Sequence, residues 1–542
     1  MSPAALQDPL APVVLRSRHL SPPSPVPPAS PICALFLSAP YPGRQKFSGH
    51  PAGLLYALTV LADRKAATHG PAAAFRELPV WCPDGTPELP GSAFEGDLRA
   101  ELRRRRPKIV GVSTFSVSYL HARSILAVVK EELPETLVIF GGAHEDNFVE
   151  YYNRRGFIDA DFVIAGDAMF LLDELYRLVE DYPKATVLQI QQLVESQTSR
   201  FSSIPGAGVL LYNLRGSLRK LYSAAGSRHP AASPLPLDRL PILPRYLLRD
   251  EDPLSRSFSA FPGAKTAQMM LGQGCPYSCP FCSEAIKKAW FEAGAPASRQ
   301  PIRHLAHVEA EIRELGRRGY SAVFFDDSTL LAKPGAYLRN LGRYLDRDGF
   351  QWGGQTTQAS IHAHRELLPE LADHGLRYLY VGIEHFDGSM IDTFGRKAGA
   401  GNKFGRRPFR ETLRLLRAVG IRTALSLTFG HPDPGDPGHV TRESPETVRF
   451  AIDQAAQLVE EFEGTVSGVS LNLVTYHPGT VISNQFEDKG LGELDFVGHP
   501  NRREPFTFFE EGVGPHAPGV TEGLVRGIWS YARDRLGTKL EF

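Results

Sequence analysis

The chain is 542 residues long, enough for three or four domains at about 150 residues each. Its 60 Lys and Arg balance 60 Asp and Glu, which excludes the basic footprint of a nucleic-acid binder or of a protein held on an anionic membrane. With 42% hydrophobic and 22% charged residues, and no apolar run near the roughly 20 residues of a membrane span, the composition is that of a soluble globular protein.

In chain order, residues 1–30 are rich in proline and lack the continuous apolar stretch of a secretory signal. They read as a disordered tail. Residues 31–182 then repeat one pattern. ICALFLSAP is an apolar strand, and HPAGLLYALTVLAD after it has helical spacing. FRELPVWC and the helix-like AFEGDLRAELRRRR follow. KIVGVSTFS is a buried strand ending near Ser113 and Thr114, with HARSILAVVKEEL as its helix. TLVIFGGAHE ends in Gly141 and Gly142, and DFVIAGDAM, ending near Gly166, leads into LLDELYRLVED. Five such units predict a doubly wound, Rossmann-like α/β domain whose ligand crevice lies at the carboxyl ends of the strands. No G-x-G-x-x-G opens the first helix, so a dinucleotide is disfavoured. The bland alternative is a domain that only packs or dimerises.

Residues 183–262 form a connector, with SIPGAGVLLYNLRGSLRKLY as a hairpin and ASPLPLDRLPILPRYLL as extended chain. From 263 to 480 strands and helices alternate again. AQMMLGQG is a strand feeding a loop, PIRHLAHVEAEIRELGRRG a helix, and YSAVFFDDSTLL a strand ending in Asp326 and Asp327. YLRNLGRYLDRDG is a helix before QWGGQTTQAS. RYLYVGIEHFD ends in Glu384, and IRTALSLTFGHPDP and VSGVSLNLVTYHPGT close the series. About six βα units predict an open (βα)6 barrel with its polar groups at the carboxyl mouth. Residues 481–542 are aromatic and turn-rich before the terminal helix TEGLVRGIWSYARDRLG, a tail expected to cover the barrel.

Three of the five cysteines stand within LGQGCPYSCPFCSE, spaced C-x3-C-x2-C as Cys275, Cys279 and Cys282. With distant Cys33 and Cys82 they make a poor disulfide framework, and a reducing, cytoplasmic compartment is expected. A structural zinc site wants four ligands, and the nearest histidines, His229 and His304, are over twenty residues away. A 4Fe–4S cubane held by three thiolates leaves one iron open, and this reading is favoured over zinc and over three unligated buried cysteines.

The spacing, with Phe281 just before the last cysteine, resembles the signature of radical S-adenosylmethionine (SAM) enzymes. The resemblance covers roughly residues 263–480. It implies that the open iron chelates the amino and carboxylate groups of SAM and that reductive cleavage yields a 5′-deoxyadenosyl radical. It also implies that Asp326 or Asp327 holds the amino group, that Glu384 accepts from the ribose hydroxyls, and that Phe281 packs on the adenine. The competing reading of these acids is solvated strand ends or helix caps.

Residues 31–182 resemble the cobalamin-binding domain that precedes the barrel in many such enzymes, through PAGLLYAL, GVSTFS, GGAH and AGDA. This implies cobalamin near Ser113, Thr114, Gly141, Gly142 and Gly166. The Asp-x-His-x-x-Gly motif that places a histidine under cobalt is absent, and His50 does not have its spacing. His-on ligation is therefore not expected. His144 and His431 receive no role.

The expected activity is a cobalamin-dependent radical SAM methyl transfer to an unactivated carbon, or phosphorus, of a small molecule or peptide. Its expected partners are that substrate and an electron donor such as flavodoxin or ferredoxin, with neither nucleic acid nor membrane. A cyclisation, ring contraction or oxidation with the same cofactors stays open, as does a non-catalytic iron–sulfur sensor or scaffold.

Overall fold

The computed structural model describes residues 33–39, 51–82, 93–115, 118–206, 208–223, 237–249, 255–256, 260–277, 279–284, 302–386, 409–431, 443–474, 480–488 and 522–541. The expected tail (1–30) and the aromatic, turn-rich stretch 504–519 lie outside them.

Two seven-stranded sheets organise these residues. The first contains β1 (Ala34–Ser38), β2 (Val80–Trp81), β3 (Ile109–Ser113), β4 (Leu137–Gly141), β5 (Phe162–Gly166), β6 (Gly208–Leu214) and β7 (Ser217–Tyr222). Their spatial order is β2-β1-β3-β4-β5-β6-β7. The first five pair in parallel. β3 is buried throughout, as helices covering both faces of a parallel sheet require. The apolar residues split accordingly. One core cluster lies on the side of α1 (Ala52–His69) and the helix Ala168–Asp181. The other lies on the side of the helices Tyr119–Glu132 and Ala143–Arg155.

The order reverses at β1, where the chain leaves for β2 and returns to β3. That β1/β3 boundary is the topological switch point, where open α/β sheets form their ligand crevice.

The connector contributes more than linkage. β6 pairs antiparallel with β5, and β7 with β6, so the first sheet runs to residue 222. The hairpin turns on Arg215 and Gly216, both with positive φ, as a two-residue type I′ turn demands. Arg219 and Lys220 on mostly exposed β7 guard that edge. The apolar residues of β6 supply what the sequence pattern shares between hairpin and core strand.

The second sheet has the order β14-β13-β12-β11-β10-β9-β8, parallel throughout. Its strands are β8 (Thr266–Met269), β9 (Ala322–Phe325), β10 (Gln351–Thr357), β11 (Leu376–Glu384), β12 (Arg422–Phe429), β13 (Val466–Leu473) and β14 (Leu540–Glu541). Sequential neighbours joined by outer helices are the expected succession of βα units. Gly353 is required in β10, because a Cβ there would lie 2.1 Å from the Tyr378 carbonyl. The register between β10 and β11 shifts beside it.

The two sides of this sheet differ in chemistry. Val323, Phe325, Leu379, Val381, Leu425 and Leu427 face the helices in one large cluster. The alternate residues face inward. At the amino end a small apolar plug of Ala260, Phe261, Ala322, Phe324, Tyr378 and Ala424 fills the interior. Toward the carboxyl end the inward positions turn polar. The terminal helix Glu522–Leu536 packs on Pro445–Glu461, with Tyr531 and Arg535 both bonded to Asp453. Its chain then adds β14 beside β13. Among the described residues no helix is long and apolar enough to cross a membrane.

Candidate active site

The cysteine loop lies across the carboxyl mouth of the second sheet, in contact with residues at or after the ends of β9, β10, β12 and β13. Cys275 Sγ lies 3.7 Å from Thr329 Oγ1, in the loop after β9. Tyr277 Oη reaches Thr357 Oγ1 (3.3 Å) and Ser360 Oγ (3.4 Å) at the end of β10. The Phe281 ring meets His431, just past β12, edge to face at 5.3 Å. Pro280 O accepts from the Ile482 N–H after β13 (3.2 Å). Within the loop the Cys282 N–H donates to Cys279 O at 3.1 Å. None of the five cysteines is in a disulfide, and Cys279 is buried.

Among the described residues no three His, Cys, Asp or Glu side chains converge on a single-ion position. Three thiols on one loop, each able to meet a different iron, suit a cubane.

Adjacent Asp326 and Asp327 point to opposite sides of the sheet. Asp327 is buried on the helix side, where its carboxylate accepts the Leu271 N–H (2.8 Å) and pairs with buried Lys333 (2.5 Å). It anchors the strand that feeds the cysteine loop. Asp326 faces the interior and accepts from Gln268 Nε2 at 3.0 Å. It keeps some accessible surface while lying enclosed within the barrel. That enclosure pushes its carboxyl up to about 7; Gln268 opposes the rise and the charge of Asp327 adds to it.

Glu384 ends β11 with φ +62, a left-handed conformation rare outside glycine. The next N–H, of His385, closes a three-residue turn on Ile383 O. The register to β12 slips there as well. Thr428 Oγ1 donates to Glu384 Oε2 at 2.6 Å and fixes the carboxylate. Backbone strain of this kind persists where surrounding structure enforces it, often at a site. Sequence patterning missed Glu443. It reaches back from beyond residues 432–442 to accept the Gly430 and His431 N–H groups, and burial pushes its carboxyl up to about 8.

In the first domain the expected contact residues tie strand ends to one another. The Thr114 N–H donates to Gly141 O, and its hydroxyl lies 3.1 Å from both Gly141 O and Glu145 Oε1. Gly142 has φ +111, and a Cβ there would stand 2.7 Å from Thr114 O and 3.0 Å from Ser113 Oγ. Its missing side chain serves the chain itself. Gly166 donates its N–H to Asp146 Oδ1 at 2.7 Å. Burial pushes Glu145 up to about 8, while Tyr152 and Thr114 hold it back. His144 is buried, stacked between Tyr119 and Phe148. His50 lies outside the described residues. What reaches outward at the switch point is Phe115, 39% exposed, directly after β3. Among the described residues the other exposed large apolar side chains of this domain are Phe157 and Tyr182, which follow helices at the opposite edge, and Leu188, in the first turn of the helix Val187–Ser196.

The second sheet is thus a parallel one with a thiol-bearing loop in contact over its carboxyl mouth, beside the inward carboxylate of Asp326. Residues 269–437 match the family model of the Radical SAM superfamily. The anaerobic magnesium-protoporphyrin IX monomethyl ester cyclase of Cereibacter sphaeroides is 23% identical over 66% of this chain and 51% of its own length. An uncharacterised methyltransferase of Pyrococcus horikoshii is 21% identical over 66% of each. The chain thus spans about half of the first relative and just under two thirds of the second. A structure of the radical SAM methyltransferase TsrM from Kitasatospora setae, with tryptophan and aza-SAM bound, shares the fold at TM-score 0.55. It is 18% identical, and the match covers 86% of this chain and 77% of that one.

Proposed function

We propose that this protein is a cobalamin-dependent radical SAM methyltransferase acting on a small molecule or peptide. The observation that carries the reading is the cysteine loop bonded to the ends of β9, β10 and β12, with Asp326 and Glu384 inside that ring of contacts. Cys275, Cys279 and Cys282 would hold the cluster. Asp326 accepts from the amino group of SAM, because Asp327 is committed to Lys333 and Leu271. Glu384, held by Thr428, accepts from the ribose hydroxyls. Phe281, braced by His431, lies along the adenine. Barrel walls around these groups exclude water and keep each hydrogen bond strong.

Phe115 at the β1/β3 switch point supplies an apolar surface for the flat corrin, while Ser113, Thr114, Gly141, Gly142 and Gly166 hold the strand ends behind it. When bound, the cluster supplies the electron that cleaves SAM, and cobalamin supplies the methyl carrier. The electron comes from a small donor of the flavodoxin or ferredoxin kind. The test is anaerobic reconstitution with iron, sulfide and hydroxocobalamin, followed by product analysis. Methyl transfer to carbon consumes SAM by two routes, so 5′-deoxyadenosine and S-adenosylhomocysteine should rise together with substrate. Deoxyadenosine rising alone would favour a second reading, a cyclase, which the likeness to the Cereibacter protein supports.

A further inference from the structure

The second sheet ends on β14 at one side and, at the other, on β8, the strand that runs into the cysteine loop. On its inner side β8 pairs with β9. On its outer side, backbone groups of Gln268 and Met270 would face water or invite another strand. They are instead capped by side chains from three other segments. Arg245, from the connector, donates to Gln268 O at 2.7 Å. Arg303 donates to Met270 O at 3.0 Å, and its own N–H to Leu271 O at 2.7 Å. Glu311 bridges the two guanidiniums at 2.7 and 2.8 Å, and all three residues are buried. Burial disfavours the Glu311 charge, yet the two guanidiniums hold its carboxyl below the usual range.

The remaining cap comes from the first domain. The Met270 N–H donates to the hydroxyl oxygen of Tyr56 at 3.2 Å. Tyr56 is buried and sits in the second turn of α1, the helix that follows β1 from the switch point. Met270 lies five residues before Cys275. One hydroxyl therefore joins the helix beside the first domain's crevice to the segment that leads from β8 into the thiol-bearing loop.

We infer that Tyr56 is a positioning residue: its hydroxyl sets where the cysteine loop stands over the barrel mouth, relative to the switch-point crevice. This rests on the radical SAM reading above. It makes the seam between the domains part of the active site's geometry. Phenylalanine at this position keeps the packing and removes the acceptor, leaving the Met270 N–H to find water or pull β8 out of register.

The experiment compares full-length wild type, Tyr56→Phe and Tyr246→Phe after anaerobic cluster reconstitution. Tyr246 Oη donates to Ala62 O at 3.2 Å in the same seam and has no bond to β8. Tyr56→Phe should take up iron and sulfide as wild type does but bind SAM on the order of tenfold more weakly, the scale of one lost buried hydrogen bond. The electron paramagnetic resonance spectrum of its reduced, SAM-bound cluster should also change. Tyr246→Phe should match wild type in both. Wild-type affinity and spectrum in Tyr56→Phe would overturn the inference alone, and so would equal losses in both variants. A wild-type chain that assembles no cluster would overturn the underlying reading, and the inference with it.

Discussion

The carboxyl edges of the two sheets look alike in sequence and are used differently. Each gathers the ends of strands that run parallel, and in each small or polar residues stand at or just past several of those ends. In the first sheet those residues are turned on each other. Thr114, Gly141 and Glu145 form one knot, and Gly166 is bound to Asp146. Among the described residues at this edge, Phe115 is the large apolar side chain that is exposed. In the second sheet the strand ends receive a loop from outside, and Asp326 opens into the interior. A polar strand end is therefore not a site by composition. What decides is whether its hydrogen-bonding capacity is already used by neighbouring backbone.

The largest effect should come from removing a thiol at the second edge. Cys279→Ala leaves one iron without its ligand, and stable cluster should be lost altogether after reconstitution. Cys33→Ala and Cys82→Ala should retain it. Iron and sulfide analysis checks this, and a full cluster in Cys279→Ala would remove the basis for contrasting the two edges.

Next in size is Asp327→Ala, which strands a buried ammonium. Breaking a buried ion pair by removing one partner costs about 3–5 kcal/mol, and here the Leu271 N–H loses its acceptor too. Chemical denaturation should show that loss in protein without cluster. If Asp327→Ala kept wild-type stability and lost only SAM binding, the roles of the two aspartates would have to be exchanged.

At the first edge, Gly142→Ala puts a Cβ against Thr114 at φ +111. A strained backbone conformation costs about 1–3 kcal/mol. Hydroxocobalamin uptake should fall while cluster content holds, and bound cobalamin should show a base-off spectrum in wild type. Equal loss of both cofactors would mean that the two edges do not act separately.

How much of this could be read from residues alone follows the same division. Alternating strands and helices are written in local periodicity, and β8, β9, β11, β12 and β13 stand where the apolar runs predict, while β10 falls in QWGGQTTQAS, which has no apolar run. The cysteine trio is legible because three thiols so closely spaced have few other uses. The hairpin Gly208–Tyr222 reads correctly as a hairpin but not as part of the first sheet. Joining it to β5 takes a contact between distant segments that no local pattern encodes. Asp326 and Asp327 are equivalent in sequence, and only strand parity separates them. Glu443 has no local signal, since its partners lie across residues 432–442. Tyr56 reads simply as one more apolar position of an amphipathic helix.

The smallest expected effect is the sharpest on the aspartate pair. Enclosure holds the Asp326 carboxyl up at about 7 before any ligand binds. The ionised form is the better acceptor for the N–H groups of SAM, so affinity in wild type should climb as pH is raised through about 7. Stability should move the other way. The fold favours the neutral acid, whose contribution is complete below the ordinary aspartate value near 4 and is lost as pH rises through about 7. Asp326→Asn cannot ionise yet can still meet Gln268. It should bind SAM about tenfold more weakly above neutrality, with a flat pH profile, and its thermal midpoint should lose the decline seen in wild type between about pH 4 and 7. Titrating SAM by fluorescence or calorimetry at several pH values, alongside melting curves, measures both signs in one series. A pH-dependent affinity that survives in Asp326→Asn would place the titrating group elsewhere, and Glu443, held up at about 8 beside Gly430 and His431, would be the next to test.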